Sequence, residues 1–406
     1  MKCLGVVGFV LGVVLLFAGS PAYAIHEGVA KPDEIAVGEL CCFKYFTERD
    51  LEELNITIDL TKVKYLKSLD LNKLASGGPP VDGIPSVDSP RFAKASDATW
   101  LKDNDVVMGL KFKGEIRAYP IRILNWHEMV NDTMGGVPII VSFCPLCGSG
   151  IVFERPTLRG KLSEFGVSGR LYKTDLVMYD RVTATFWNQF LGEPTVGPLV
   201  GEVGKLHRIP VDVVPWKQWR QNNPTTLVLE RPKWGDRLGN KQTEPRPDLP
   251  PAQQFVREYD VNPYERSLAA TVSAFGASFD DTRLDPFAEI IGIVIGGKAK
   301  AYAREALLKV RLLNDNFSGQ ALLVLVTLAQ EVKIFKRSFQ NQTLEFELRT
   351  GKLFDKQTGS EWSFEGVATD GKLKGTKLEE IVGLPSFWFA WVAFNPQSEL
   401  FGGKQP

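Results

Sequence analysis

The chain has 406 residues, 44% of them hydrophobic and 24% charged, which is typical of a globular protein of two or three domains. Lysine plus arginine and aspartate plus glutamate each total 48, so the formal net charge is zero. This balance provides no global field for nucleic acid or an anionic membrane surface, and we predict no nucleic-acid partner.

The first 24 residues have the organisation of a secretory signal peptide. Lys2 precedes an apolar run over residues 3–17, and Ala22-Tyr23-Ala24 has the form of a cleavage site. The apolar run is shorter than the roughly 20 residues that span a bilayer, so we favour a cleaved signal over an uncleaved anchor. We therefore predict a periplasmic or extracellular protein with no stable membrane span after cleavage, and the sequence leaves its oligomeric state open.

Residues 25–92 form an N-terminal preface. Its residues 31–75 predict a small strand-and-helix unit, and residues 77–90 form an arm rich in glycine and proline. Adjacent cysteines rarely pair with each other, because the ring they would close is strained. We interpret Cys41 and Cys42 as buried residues of this preface, and a contact with a metal site or with the later cysteines is the alternative.

The remainder of the chain contains an internal repeat of four matches in the same order, which we interpret as a tandem duplication. We predict copy one over residues 93–230, a polar, proline-rich linker over 231–263 and a degenerate copy two over 264–406. The matched segments are Gly109–Tyr119 with Gly292–Tyr302, Asn131-Asp132 with Asn314-Asp315, Tyr179–Trp187 with Phe354–Trp362, and Trp216–Pro224 with Trp388–Pro396.

Each copy begins with alternating apolar residues around a glycine turn, which predicts a hairpin. In copy one a helix is predicted next, then an apolar strand over residues 137–143, several short strands, and an aromatic helix around Trp216 and Trp219. The predicted fold class is α+β, with two tandem homologous, mostly antiparallel β domains and short helices. The first helix is predicted from the spacing of Ile123, Trp126, His127, Val130 and Met134.

The repeat separates residues shared by both copies, which we interpret as structural, from residues present in one copy. Residues 125–128, Asn-Trp-His-Glu, align with 308–311, Leu-Lys-Val-Arg. Cys144-Pro-Leu-Cys147 aligns with residues 327–330, which contain no cysteine. Copy two has therefore lost the reactive groups and kept the frame.

A Cys-x-x-Cys pair places two sulfur atoms within reach of one metal ion or of each other. His127 is one of three histidines and the only one close in sequence to Cys144 and Cys147. We predict it as a ligand or proton carrier, with a satisfied core histidine as the structural alternative. Glu128 is predicted to orient His127 or act as a base, and a solvated helix residue is its alternative.

Two cysteines and a histidine suit zinc, or copper if a thioether joins them. Met178 is the candidate fourth ligand, and core packing is its alternative interpretation. Asp175 and Asp180 flank the same predicted strand, and we interpret them as turn or salt-bridge residues, with a place in the lining of the pocket as the alternative.

The chain resembles the bacterial family catalogued as domain of unknown function 3179. The resemblance is close over residues 77–230 and weaker in copy two, and it implies an exported protein with a Cys-Pro-x-Cys site without supplying a reaction. The segments that carry it are Gly77–Pro80, Gly83–Pro85, Arg117–Pro120, Leu124–Glu128, Val130–Asp132, Phe143–Gly148, Phe165–Gly169 and Asp175–Arg181.

The sequence supports three hypotheses for function. The leading one is an exported metal-binding or thiol-redox protein that uses Cys144, Cys147 and His127, with copper or zinc as the cofactor and a redox or metal-donor partner. The second is an enzyme with a cysteine nucleophile activated by His127 and oriented by Glu128. The third is a non-catalytic binding or structural module with a closed zinc site or a disulfide.

Overall fold

A computed structural model describes residues 28–40, 44–265, 281–340 and 342–404. The predicted signal peptide and the Cys41-Cys42 pair lie outside these residues. Within the described ranges, no helix is long and apolar enough to cross a membrane.

The fold is mostly β, with 41% of residues in strands and 13% in helices, so the α+β prediction gave the helices too much weight. The short helices are α1 Glu48–Glu53, α2 Ile121–His127, α3 Trp216–Asn222, α4 Arg304–Val310 and α5 Trp388–Phe394, with 3-10 turns at Pro32–Glu34, Leu60–Lys62, Leu71–Lys73 and Pro251–Gln253. The strands before the linker are β1 Ile35–Gly38, β2 Val63–Leu66, β3 Leu74–Ser76, β4 Phe92–Lys94, β5 Val106–Phe112, β6 Glu115–Pro120, β7 Met129–Met134, β8 Val137–Cys144, β9 Ser149–Glu154, β10 Thr157–Leu158, β11 Lys161–Leu162, β12 Phe165–Tyr172, β13 Asp175–Asp180, β14 Phe186–Asn188, β15 Glu193–Val196, β16 Arg208–Ile209, β17 Asp212–Pro215 and β18 Leu227–Leu229. The strands that follow are β19 Arg237–Leu238, β20 Lys241–Gln242, β21 Glu289–Ile295, β22 Lys298–Ala303, β23 Leu312–Phe317, β24 Gln320–Val326, β25 Val332–Lys336, β26 Ser338–Phe339, β27 Gln342–Thr343, β28 Phe346–Arg349, β29 Lys352–Asp355, β30 Glu361–Trp362, β31 Ala368–Asp370, β32 Leu384–Phe387 and β33 Glu399–Phe401.

The order of the strands in the sheets recurs in the two halves of the chain. The first half has sheets β17-β5-β6-β18-β4 and β16-β9-β8-β7, and the second has β32-β21-β22-β33 and β23-β24-β25. Each half has one parallel pair of named strands, β6 with β18 in the first and β22 with β33 in the second, and the other named strands pair antiparallel. The prediction of mostly antiparallel sheets with short helices is confirmed.

The preface adds strands to a sheet of the first half. β1 and β2 extend one edge of β15-β14-β13-β12, and β3 pairs with β12 at the other edge, which makes a seven-stranded sheet. The corresponding second-half sheet, β28-β29-β30-β31, has four strands. The preface is thus an integral part of the first-half fold and holds the strands that lie beside the cysteine pair.

The predicted first helix is wrong beyond His127, because the apolar residues Val130 and Met134 that were assigned to it lie in a strand. The helix ends there because Glu128 adopts a left-handed conformation, with φ +55°, and Val130 and Met134 belong to strand β7. β7 pairs with β8 from Met129 opposite Ser142 to Met134 opposite Val137. The residues of β7 are apolar at intervals that fit a helix as well as a buried strand, so periodicity alone could not separate the two.

A glycine and a tryptophan make the same contact in each half. A Cβ atom on Gly109 would overlap the ring of Trp219, and one on Gly292 would overlap the ring of Trp391. All four residues lie on equivalent elements, β5 with α3 and β21 with α5. Glycine is therefore required at both positions because the indole ring occupies the space that a Cβ atom would fill.

Several side-chain hydrogen bonds also recur at equivalent positions. The phenol of Tyr119 donates to Asp132 at 2.7 Å, and that of Tyr302 donates to Asp315 at 2.8 Å. The indole N–H of Trp187 donates to Asp180 at 2.9 Å, and that of Trp362 donates to Asp355 at the same distance. These pairs were among the shared residues that the sequence assigned to the frame of the fold.

Buried ion pairs join the two halves. Lys333 on β25 lies 2.7 Å from Asp212 on β17, and neither side chain is more than 8% exposed. Lys111 on β5, with a side chain that is 30% exposed, lies 2.8 Å from the buried Glu331. Lys333 and Asp212 are held in place by each other, because separating them would leave an unpaired buried charge.

Candidate functional site

The cysteine pair lies in the tight connection between strands β8 and β9. Cys144 is the last residue of β8 and pairs in register with Ser149, the first residue of β9. Gly148 closes the turn with φ +60°. The connection brings both sulfur atoms together as free thiols, with Cys144 1% exposed and Cys147 fully buried.

A strained hairpin turn faces the two thiols. Lys173 and Thr174 join β12 to β13 with φ values of +51° and +77°. A positive φ is rare for a β-branched residue and costs on the order of 1–3 kcal/mol. The Cys144 thiol donates to the Thr174 carbonyl oxygen at 3.8 Å, and Cys147 Sγ lies 3.6 Å from Thr174 Oγ1. The strained residue is therefore the one that contacts both sulfur atoms.

Asp175 follows this turn and completes the cluster. One ligand atom from each of Cys144, Cys147 and Asp175 lies within 4.8 Å of the others, and all three residues are buried. Asp175 accepts hydrogen bonds from the Phe190 N–H at 3.1 Å and the Ser149 hydroxyl at 3.4 Å. Burial nevertheless raises the pKa of the Asp175 carboxyl well above its usual range. Of the two roles predicted for Asp175, this position fits the lining of the pocket and not a turn or salt bridge.

Both thiols are harder to ionise than an ordinary cysteine. Burial raises the pKa of Cys144, while hydrogen bonds from the Cys147 side chain and backbone lower it in part. Burial raises the pKa of Cys147 as well, and the neighbouring Cys144 and Asp175 raise it further. Removal of a proton from this pair therefore needs an acceptor nearby, because burial disfavours the thiolate.

Glu128 is a second buried acid, and its charge acts on Cys144. Burial raises the pKa of its carboxyl to about 7, against an ordinary value of 4.5. The Tyr264 phenol donates to Glu128 Oε1 at 3.1 Å. A negative charge on Glu128 raises the pKa of Cys144, so the two groups interact electrostatically. The predicted alternative of a solvated helix residue is wrong, since Glu128 is only 6% exposed.

His127 does not join the cysteine cluster in this arrangement. Its Nδ1 lies 2.6 Å from the Pro85 carbonyl oxygen, and its Nε2 lies 2.7 Å from the Tyr259 hydroxyl. A carbonyl only accepts, so Nδ1 carries the proton and Nε2 accepts from Tyr259. Burial lowers the pKa of His127 to about 4, which keeps the ring neutral. Both ring nitrogens are occupied, and the histidine links the arm and the linker to α2.

Met178 packs inside the apolar core that surrounds the cysteines. It lies on β13 opposite Trp187 and is fully buried. The same core cluster contains Cys144 and Cys147. Asp180, at the end of this strand, accepts from Trp187 and from Thr183 and serves the turn that the sequence predicted.

The second half of the chain covers the cysteine pair. The Phe387 N–H donates to the Cys147 carbonyl oxygen at 2.8 Å, and a Cβ on Gly148 would lie 2.8 Å from the Phe387 ring. Trp388 and Trp391 of α5 belong to the same core cluster as both cysteines. No feature of the isolated copy-one sequence predicts this cover, because Phe387 is 240 residues from Cys147 in the chain.

A family model described as a protein of unknown function, DUF3179, matches residues 81–398. No curated protein and no solved structure matches the chain. The match spans more than half of the sequence, so the chain belongs to the DUF3179 family, as its sequence motifs indicated.

Proposed function

We propose that this protein is a thiol-redox protein in which Cys144 and Cys147 alternate between a dithiol and a disulfide. The observation that carries the proposal is the adjacency of two free, buried thiols in one tight turn, with a carboxyl group next to them. One ligand atom from each of Cys144, Cys147 and Asp175 lies within 4.8 Å of the other two. Thiol–disulfide exchange needs one attacking thiolate and a second thiol that resolves the mixed disulfide.

The proposed reaction uses the two thiols in turn. The Cys144 thiolate attacks a disulfide of an oxidised partner, forms a mixed disulfide and releases the first partner thiol. Cys147 then passes its proton, through the Asp175 carboxyl group, to the leaving partner thiolate and attacks the Cys144 sulfur, which releases the second thiol. The cysteines lose two electrons and two protons, and the partner disulfide is reduced to two thiols.

Glu128 is proposed as the first acceptor for the Cys144 proton. Its pKa of about 7 leaves it partly ionised near neutral pH, as a proton acceptor requires. The Tyr264 hydroxyl, which donates to it, stabilises the ionised form. Both ring nitrogens of His127 already have hydrogen-bond partners, so the proposal assigns this step to Glu128.

Exchange also requires that the covering residues move. Both thiols are at most 1% exposed. The ring of Phe387, in the second half of the chain, packs against Gly148 and covers the turn that carries the two cysteines. A partner disulfide needs access to Cys144 Sγ, because the sulfur itself is attacked. The proposal therefore includes an opening of the Phe387 segment as a step of the reaction.

A metal site is the second candidate function, and it rests on the Cys144, Cys147 and Asp175 cluster. Two thiolates suit zinc or copper(I), and a carboxylate is a common zinc ligand. Asp175 would then take the place predicted for His127. The raised pKa values of all three groups mean that a cation would have to displace their protons.

We further propose that the two halves arose by tandem duplication and that the chain is exported. The duplication is supported by the recurring sheet order and by the equivalent Gly109–Trp219 and Gly292–Trp391 contacts. Export is supported by the sequence of residues 1–24, and it would place the thiols in a compartment that permits disulfides.

Thiol exchange with oxidised glutathione tests the leading proposal, in a Cys41→Ser, Cys42→Ser background that removes the other cysteine pair. The intact pair is expected to form a Cys144–Cys147 disulfide, found by peptide mapping. Cys147→Ser is expected to accumulate glutathione on Cys144, and Cys144→Ser to react much more slowly. Asp175→Asn is expected to slow ring closure, because it removes the carboxyl group that relays the proton of Cys147.

The metal content of the same proteins separates the two candidates. Stoichiometric zinc or copper that is lost in Cys144→Ser, Cys147→Ser and Asp175→Asn, together with thiols that resist oxidation, would establish the metal site instead. His127→Gln is the matched control, since it changes a neighbouring buried side chain outside the cluster. Thiols that stay reduced in a metal-free, folded protein would contradict the redox proposal.

A further inference from the structure

A cavity of about 150 Å³ lies between the two halves of the chain and adjoins the cysteine turn. Phe143 and Gly148, which directly flank the Cys144–Cys147 segment, form part of its wall. The opposite wall comes from strands β21 and β32, including Ile291 and Phe387. The cavity therefore exists only where both halves meet.

The chemistry of the wall restricts what can occupy this cavity. Of its twelve lining residues, only Glu289, Arg304 and Ser386 are polar or charged. Arg304 is already paired with Glu289 at 3.3 Å and donates to the Gln330 carbonyl oxygen at 3.0 Å. A cavity of roughly this volume with apolar walls accommodates one benzene-sized ring. The occupant should thus be small, mainly apolar and uncharged.

Ser386 adds one specific polar feature. Its hydroxyl is buried and has no hydrogen-bond partner among the residues that the structure describes, and the residue lines the cavity. A buried hydroxyl without a partner is unfavourable, and a ligand oxygen that supplies the missing hydrogen bond removes that penalty. The residue aligned with Ser386 in the first half is Val214, so this hydroxyl is not needed by the repeated frame.

We propose that this cavity binds a small apolar molecule of about one ring that carries a single hydroxyl or carbonyl group. The ring occupies the space between Val213 and Ile291, and the polar group bonds to the Ser386 hydroxyl. Binding depends on the volume and the polarity of the cavity alone, so the proposal goes beyond thiol exchange and stands or falls separately from it.

Benzene and phenol are suitable probes because they differ by one hydroxyl. Each is titrated into the full chain labelled at isoleucine methyl groups and followed by NMR. The signals of Ile121, Ile290 and Ile291, which line the cavity, are expected to shift saturably. The signal of Ile35, in the preface strand β1, is expected to stay unchanged.

Two variants test the site itself. Val213→Phe fills the cavity and is expected to weaken binding of both probes at least roughly tenfold, whereas Val294→Phe, at a position 56% exposed on β21, should not. Phenol is expected to bind about two- to tenfold more tightly than benzene, and Ser386→Ala should remove that preference.

The site can still be tested if Val213→Phe fails to fold. Ser386→Ala removes only one oxygen atom, so this variant is expected to fold and to report on the same cavity. No saturable shift of the three cavity isoleucines in the folded wild type would overturn the proposal. Equal phenol affinity in Ser386→Ala and the wild type would overturn the role of the hydroxyl. Loss of thiol exchange would leave both of these binding results unchanged, so the two proposals can fail independently.

Discussion

Replacement of Glu128 by glutamine should make the protein more stable, by an amount that grows with pH. Burial raises the pKa of the Glu128 carboxyl from 4.5 to about 7, so the folded state holds a proton that the unfolded chain releases. The folded state therefore loses stability as pH rises from 4.5 to 7. A difference of about 2.5 pH units at 1.36 kcal/mol each amounts to about 3 kcal/mol.

Glutamine isolates this effect because it is neutral at every pH and can still accept the Tyr264 hydrogen bond. The free-energy difference between Glu128→Gln and the wild type should increase by about 3 kcal/mol between about pH 4 and pH 8. The raised pKa values of Cys144 and Cys147 keep both thiols neutral over this range.

Urea unfolding of both proteins over that pH range measures the difference directly. Glu244→Gln is the control, because Glu244 is exposed in a loop and its replacement should change stability by less than about 0.5 kcal/mol at any pH. A difference between Glu128→Gln and the wild type that does not vary with pH would refute the buried, protonated carboxyl.

Three further perturbations test the fold around the site. Gly292→Ala should cost about 1–3 kcal/mol of unfolding free energy, because its Cβ overlaps Trp391, while Gly38→Ala, with its nearest neighbour at 3.7 Å, should be nearly neutral. Asp212→Asn should cost about 3–5 kcal/mol of unfolding free energy, because it leaves Lys333 buried without its partner. The double variant Asp212→Leu, Lys333→Met should recover most of that loss. A double variant whose loss of stability equals the sum of the two single losses would contradict the pairing. Tyr259→Phe should cost about 1 kcal/mol by removing the hydrogen bond to His127 and leave the Cys144–Cys147 redox midpoint unchanged, and a shifted midpoint would return His127 to the site.

The sequence predicted those features that depend on residues close together in the chain. The Cys144–Cys147 turn, the apolar strand β8 and the aromatic helices are all local patterns, and the structure contains each of them. Glu128 shows where local patterns stop being informative. Its left-handed conformation ends α2 without a glycine or asparagine to signal it, so the helix was predicted too long.

The sequence could not predict which residues surround the cysteine pair, because they are far apart along the chain. Thr174 meets Cys144 across 30 residues, and Tyr259 meets His127 across 132. Asp175 is an acidic residue at the first position of the otherwise apolar start of strand β13. An acid at the start of a buried strand was the feature of the sequence that could have placed it beside the cysteines. His127 was assigned to the pair because it is close in sequence, yet the fold turns its ring towards Pro85 and Tyr259.

The central claim, that Cys144 and Cys147 form a reversible disulfide pair, is tested most directly by equilibrium redox titration. The metal-free, full-length protein in the Cys41→Ser, Cys42→Ser background is equilibrated with dithiothreitol mixtures of increasing oxidation. Free thiols are then alkylated, and the peptide that carries both cysteines is measured by mass spectrometry. We predict a single two-electron transition between the dithiol and the Cys144–Cys147 disulfide, reversible on reduction. A folded protein whose two thiols remain alkylatable after denaturation at every oxidant ratio would contradict the claim.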